Sequence, residues 1–116
     1  MVKKAIVKAF SDKAWQVRCF ALRAAARHGV EVPKGAFDDE TEARVIRMAQ
    51  RIEVPVKAGQ IKRIAEKALR SKMPERAVLG VEIAARSGDD KLEAMAKKRL
   101  GQLLQGISPA VQVTIG

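Results

Sequence analysis

Apolar residues recur along the chain at intervals of three and four, the spacing that places them on one side of an α-helix. Val2, Ala5, Ile6, Ala9 and Phe10 form the first such stripe, with Lys3, Lys4 and Lys8 turned away from it. Ser11 reads as the N-cap of a second helix that runs to about His28 and stops at Gly29, a residue suited to the left-handed conformation past a helix end. Its apolar residues fall into two sets, Trp15, Cys19, Leu22 and Ala26 on one face and Val17, Phe20 and Ala24 towards another. A helix apolar on two sides is expected to be covered on both, which puts this one at the centre of the fold.

Residues 30–37 carry Pro33 and Gly35 and read as a loop. The acidic run Asp38-Asp39-Glu40-Thr41-Glu42 opens a third helix, with negative charge at the positive end of its dipole. Val45, Met48, Ala49 and Ile52 supply its apolar stripe, and Val54-Pro55 stops it. A fourth helix over about 58–70 buries Ile61, Ile64, Ala65, Ala68 and Leu69. Pro74, tolerated in a first turn, opens a fifth that runs through Arg86; it is apolar nearly all round and so expected to be well buried.

Gly88 ends the fifth helix, and Asp89 or Asp90 caps a sixth. Leu92, Met95, Ala96, Leu100, Leu103 and Leu104 then form one stripe before Gly106. The short joint between the fifth and sixth predicts an antiparallel hairpin. The second and fifth helices share an Ala-Ala-Arg-x-Gly ending, at Ala25 to Gly29 and Ala84 to Gly88. With no fixed period and no third copy, it reads as one helix-ending solution used twice rather than a solenoid repeat.

From Ile107 onward Val111, Val113 and Ile115 alternate with Gln112 and Thr114, a strand period. The expected architecture is therefore all-α, a compact bundle of five to six short helices with helical-hairpin packing. It forms one domain over 1–106, followed by an extended tail or short strand over 107–116. A strand there has residues 30–32 or a second subunit as its possible partner; the other reading is an unstructured end.

Composition supports the helices: Ala is abundant, Tyr is absent, and the aromatics are Phe10, Trp15, Phe20 and Phe37. A lone Cys19 forms no intramolecular disulfide. No apolar stretch approaches the roughly 20 residues of a membrane span, and the basic start lacks the apolar core of a signal peptide, so no membrane role and a cytoplasmic location are expected. The first helix is too short to favour an anionic membrane surface over packing on the second.

Charge changes the picture most. The net charge is +10, and it is unevenly placed. Residues 1–27 hold seven basic residues and one acidic, 28–56 four and six, 57–86 eight and three, and 87–116 four and three. Two basic blocks flank an acidic one, a distribution that draws polyanions across roughly a Debye length. On the third helix Arg44, Arg47 and Arg51 fall within about 60° of arc, and on the fourth so do Arg63, Lys67 and Arg70. Both stripes lie opposite an apolar face, and such a stripe can follow phosphates and release their counterions.

Other chemistry finds less support. Cys19 and His28 sit nine residues apart on one helix, about 13 Å along its axis and on opposite faces, so they form no dyad. One His and one Cys exclude the common zinc sites, and helix-start capping accounts for Asp38, Asp39, Glu40 and Glu42 better than a hard cation does. No phosphate-binding glycine loop is present. Neither a cofactor nor catalysis is expected.

A helix-turn-helix register fits Ala84, Gly88 and Ala94 but fails at Lys97, where an apolar residue belongs. Residues 25–35 fail sooner, at Pro33 and Gly35. No aromatic lies within the basic residues of the third or fourth helix, so backbone contact is expected over base stacking. The last forty residues, a helical hairpin followed by Pro109-Ala110-Val111-Gln112-Val113-Thr114-Ile115-Gly116, are similar to the C-terminal parts of phage DNA-packaging small subunits. The DNA-binding N-terminal motif of those proteins has no counterpart here; no residue is carried across, and no family is assigned.

The sequence thus points first to a non-catalytic nucleic-acid binder, DNA before RNA. It would use Lys3, Lys4, Lys8, Arg44, Arg47, Arg51, Arg63, Lys67 and Arg70 for backbone contacts, as a monomer or a homo-oligomer. The alternatives are an adaptor that docks an acidic protein and, as the resemblance implies, a phage or mobile-element DNA-packaging or accessory protein. An enzyme built on the acidic cluster ranks last.

Overall fold

A computed structural model describes residues 2–107. Among them lie six helices: α1 (Val2–Ala9), α2 (Trp15–His28), α3 (Ala43–Arg51), α4 (Ala58–Leu69), α5 (Pro74–Ala85) and α6 (Asp90–Ile107). The all-α bundle read from the sequence is the observed one. No strand occurs among the described residues, and residues 30–32 are irregular. Ile107, read as the first residue of the tail, is the last of α6. The alternating segment that follows lies outside the described residues.

The apolar stripes meet in two cores that share one wall. Ile6, Phe10, Cys19, Ala21, Leu22 and Ala25 of the first two helices and their joint pack against Val45 and Ala49 of α3. From its other side α3 sends Ala43 and Ile46 into the second core, with Ile64, Leu69, Ile83, Leu92 and Ala96. The central helix is therefore α3 and not α2, which packs only on α1 and α3 among the described elements. Of its second apolar set Val17 and Ala24 are half-buried, but Phe20 is left 63% exposed, and Ala26, expected inside, is exposed as well.

Helix α5 lies against α3, α4 and α6. It buries Ala77, Gly80, Ile83 and Ala84 and leaves Val78 out. At Gly80 α5 lies close against α4: a Cβ there would stand 2.8 Å from the Leu69 backbone nitrogen and 3.1 Å from the Ala68 carbonyl carbon. The 86–89 turn folds α6 back onto α5, giving the expected hairpin. Its cap is Asp89, whose Oδ1 accepts from the Lys91 and Leu92 N–H groups at 2.9 and 3.2 Å. Gly29 and Gly88 both adopt left-handed φ, 64° and 71°, so the shared Ala-Ala-Arg-x-Gly ending is one solution used twice.

Two helix starts differ from expectation. Ser11 caps nothing: α2 begins at Trp15, after a joint in which Asp12 Oδ1 accepts from the Ala14 N–H at 2.8 Å. What fastens that joint is Arg18, whose Nη1 donates to the Asp12 and Lys13 carbonyls at 2.8 and 3.0 Å. The acidic run does not open α3 directly either, because Asp38 and Asp39 lie in a turn over 34–39 and the helix begins at Ala43 with Glu42 as N-cap. Glu40, 5% exposed, holds the approach: one carboxylate oxygen accepts from the Thr41 and Glu42 N–H groups at 3.2 and 3.0 Å. At its other end α3 stops before Val54-Pro55, with Glu53 in the left-handed region at φ 60°.

Candidate functional site

Arg63 and Lys67 of α4 and Arg70, its C-cap, stand opposite the buried Ile64, Ala65, Ala68 and Leu69, so the expected stripe of Arg63, Lys67 and Arg70 is solvent-exposed. These three line an open groove of about 690 Å³ together with Thr41, Glu42, Glu66, Ser71 and Arg76. Arg63 Nη2 donates to Gln60 Oε1 at 2.7 Å and to the Glu40 carbonyl at 3.4 Å, which holds its guanidinium at the groove edge. Arg76, from the first turn of α5, is a fourth cation that periodicity on α4 alone cannot reveal; it lies 3.4 Å from Glu42 Oε2. No carboxylate of the described residues is within ion-pair distance of Lys67 or Arg70.

The α3 stripe faces a different groove. Arg44 and Arg47 line it with Trp15, Gln16, Phe20 and Arg23 of α2 and with Leu79 of α5. Two of the three expected arginines there are engaged. The Arg44 guanidinium lies 4.5 Å from the centroid of the Trp15 ring and 3.9 Å from Glu42 Oε1, and Arg47 Nε pairs with Glu82 of α5. Their side chains keep 41% and 35% of their exposure, so each ties helices together and still presents charge. Arg51, one turn beyond Arg47, is exposed.

This groove corrects the expectation that no aromatic accompanies the basic residues of the third helix. Trp15 and Phe20 come from α2, and only packing brings them beside Arg44 and Arg47. A signal was present in α2 itself: Gln16, Phe20, Arg23 and Arg27 recur at helical spacing on one face, beside Cys19 and turned away from the buried Leu22 and Ala25. The lysines of α1 join neither groove. Lys3, Lys4 and Lys8 are exposed, and Lys3 borders a small cleft with His28, Gly29 and Glu31.

Cys19 is buried, its Sγ donating to the Arg44 carbonyl at 3.8 Å. Burial first, and the nearby Glu40 carboxylate second, push its thiol above the ordinary 9.0. The acidic run disperses over separate partners: Asp38 reaches Lys57 at 3.7 Å, Glu40 pairs with Arg18, and Glu42 is shared by Arg44 and Arg76. No three His, Cys, Asp or Glu side chains of the described residues are placed to hold a metal ion. Ala94, buried in a helix-turn-helix register, is exposed here.

A further cleft, about 760 Å³, lies between the 31–38 segment and the 53–57 loop with the start of α4; Val32, Phe37, Val54 and Val56 contribute apolar walls. No helix of the described residues is long and apolar enough to cross a membrane. Neither a family model, nor a curated protein, nor a solved structure matches the chain.

Proposed function

We propose that this protein is a non-catalytic nucleic-acid binder that holds duplex DNA by its phosphate backbone through the α4–α5 groove. One observation carries the reading: Lys67 and Arg70 are exposed and free of carboxylate partners among the described residues, and they share one groove with Arg63 and Arg76. A cation held by a buried carboxylate, as Arg18 is by Glu40, has its charge committed within the fold. A groove that gathers four cations against Glu42 and Glu66 keeps an excess positive charge available to an anion.

The groove contains no aromatic side chain, which favours contact with phosphates over stacking with bases. The rest of the +10 charge, the α1 lysines included, contributes attraction at longer range. Anisotropy of a labelled random-sequence duplex across a salt series tests the reading. Three to four phosphate contacts predict log K falling against log salt with a slope of about −2.7 to −3.6. Absence of binding at low salt overturns it and makes an acidic protein the partner to seek.

A further inference from the structure

The α2–α3 groove holds an aromatic ring that packing leaves unused. Phe20 is 63% exposed, the highest value among the large apolar side chains that stay in solvent. Val2, at 58%, lies at the chain start, whereas Phe20 sits in the middle of a well-formed helix, lining a groove with Gln16, Arg23, Arg44 and Arg47. Trp15 forms the groove's other aromatic wall, with the Arg44 guanidinium across its ring.

We infer that this groove binds a single-stranded segment of nucleic acid, with one base stacked on Phe20 and the adjoining phosphates held by Arg23 and Arg47. The inference rests on the proposed nucleic-acid function and adds to it a second mode of binding. An exposed ring offers a π-face that every base can stack on, and arginines beside it supply backbone attraction and cation–π contact in the same step. The Gln16 side chain offers a donor and an acceptor at the base edge.

The charge of the groove argues against a second copy of the chain as occupant. A two-fold contact through this face would set Arg23, Arg44 and Arg47 against their own copies, and like charges so placed oppose association. An acidic protein segment satisfies the arginines but gains nothing from a planar ring that leucine would not also give, and this difference is testable.

Trp15 is the sole tryptophan and the chain has no tyrosine, so intrinsic fluorescence reports directly on this groove. Titration with oligo(dT) is expected to quench Trp15, and Phe20→Ala to weaken oligo(dT) binding by roughly tenfold or more, as loss of one stacked base predicts. Duplex DNA binding is expected to stay within twofold of wild type. Phe20→Leu, which keeps the apolar area and removes the π-face, should be as weak as Phe20→Ala. Full affinity in Phe20→Leu would overturn base stacking in favour of apolar docking, and unchanged oligo(dT) affinity in Phe20→Ala would overturn the site altogether. If the wild type binds duplex but Trp15 and Phe20 are indifferent to oligo(dT), this inference alone fails; if it binds neither nucleic acid, the proposed function fails with it.

Discussion

Arg18 and Glu40 meet as a two-point ion pair, Nε to Oε1 at 2.7 Å and Nη2 to Oε2 at 2.8 Å, across 22 residues of sequence. Each partner also fastens its own surroundings, Arg18 through the Asp12 and Lys13 carbonyls and Glu40 through the Thr41 and Glu42 N–H groups. The pair therefore locks the α1–α2 joint to the approach of α3. The Glu40 side chain is only 3% exposed, so removing its partner strands a charge away from water.

Glu40→Ala and Arg18→Ala are each expected to cost about 3 kcal/mol or more in urea unfolding, with positive coupling in the double mutant. Arg18→Met with Glu40→Leu should recover much of that loss, because two apolar groups leave no stranded charge. Losses under 1 kcal/mol in both single variants would contradict the lock.

Two glycines in helices separate close packing from intrinsic propensity. At Gly80 a Cβ meets the Leu69 backbone, which cannot give way, whereas at Gly101 nothing lies within 4 Å. Alanine favours a helix interior by about 1 kcal/mol in either case. Gly101→Ala should therefore stabilise the protein by up to about 1 kcal/mol, and Gly80→Ala should destabilise it by about 1–3 kcal/mol. Thermal unfolding reads both signs.

Glu53 occupies the left-handed region that suits glycine, with φ 60°. A side chain in that conformation costs about 1 kcal/mol. Glu53→Gly should raise stability by roughly 0.5–1 kcal/mol despite the greater freedom it gives the unfolded chain. A lowered Tm would show that the Glu53 side chain contributes more than its backbone costs.

What the sequence made legible follows from how local each feature is. The α4 stripe of Arg63, Lys67 and Arg70 was readable because one helix sets both its apolar face and the face opposite. Arg76 joins that groove from α5, Phe20 joins Arg44 and Arg47 from α2, and Arg47 finds Glu82 across the α3–α5 contact. These are tertiary neighbours that no period within one helix encodes. The same limit misplaced the centre of the fold: the two apolar sets of α2 predicted cover on both sides, and Phe20 is left exposed. Gly80 carries no signal of its own in the sequence, because its meaning lies in the Leu69 backbone opposite.

The buried Cys19 thiol gives a pH dependence with a definite sign. Its folded-state value is raised above 9.0, so the unfolded chain loses the thiol proton first as pH increases. Stability from this group is complete below about pH 9 and declines above it, and Cys19→Ala should flatten that part of the stability profile. In the native state below pH 9, alkylation of Cys19 should be much slower than in urea; equal rates would contradict its burial.

In the proposed function, the exposed Lys67 and Arg70 of the α4–α5 groove contact phosphates. The most direct test compares the wild type with Lys67→Gln/Arg70→Gln, two exposed positions whose neutral replacement should leave Tm unchanged. Binding of labelled duplex DNA is measured across a salt series for both. Loss of two phosphate contacts predicts weaker binding and a slope of log K against log salt shallower by about 1.8. An unchanged slope and affinity in the folded variant would contradict the assignment of this groove.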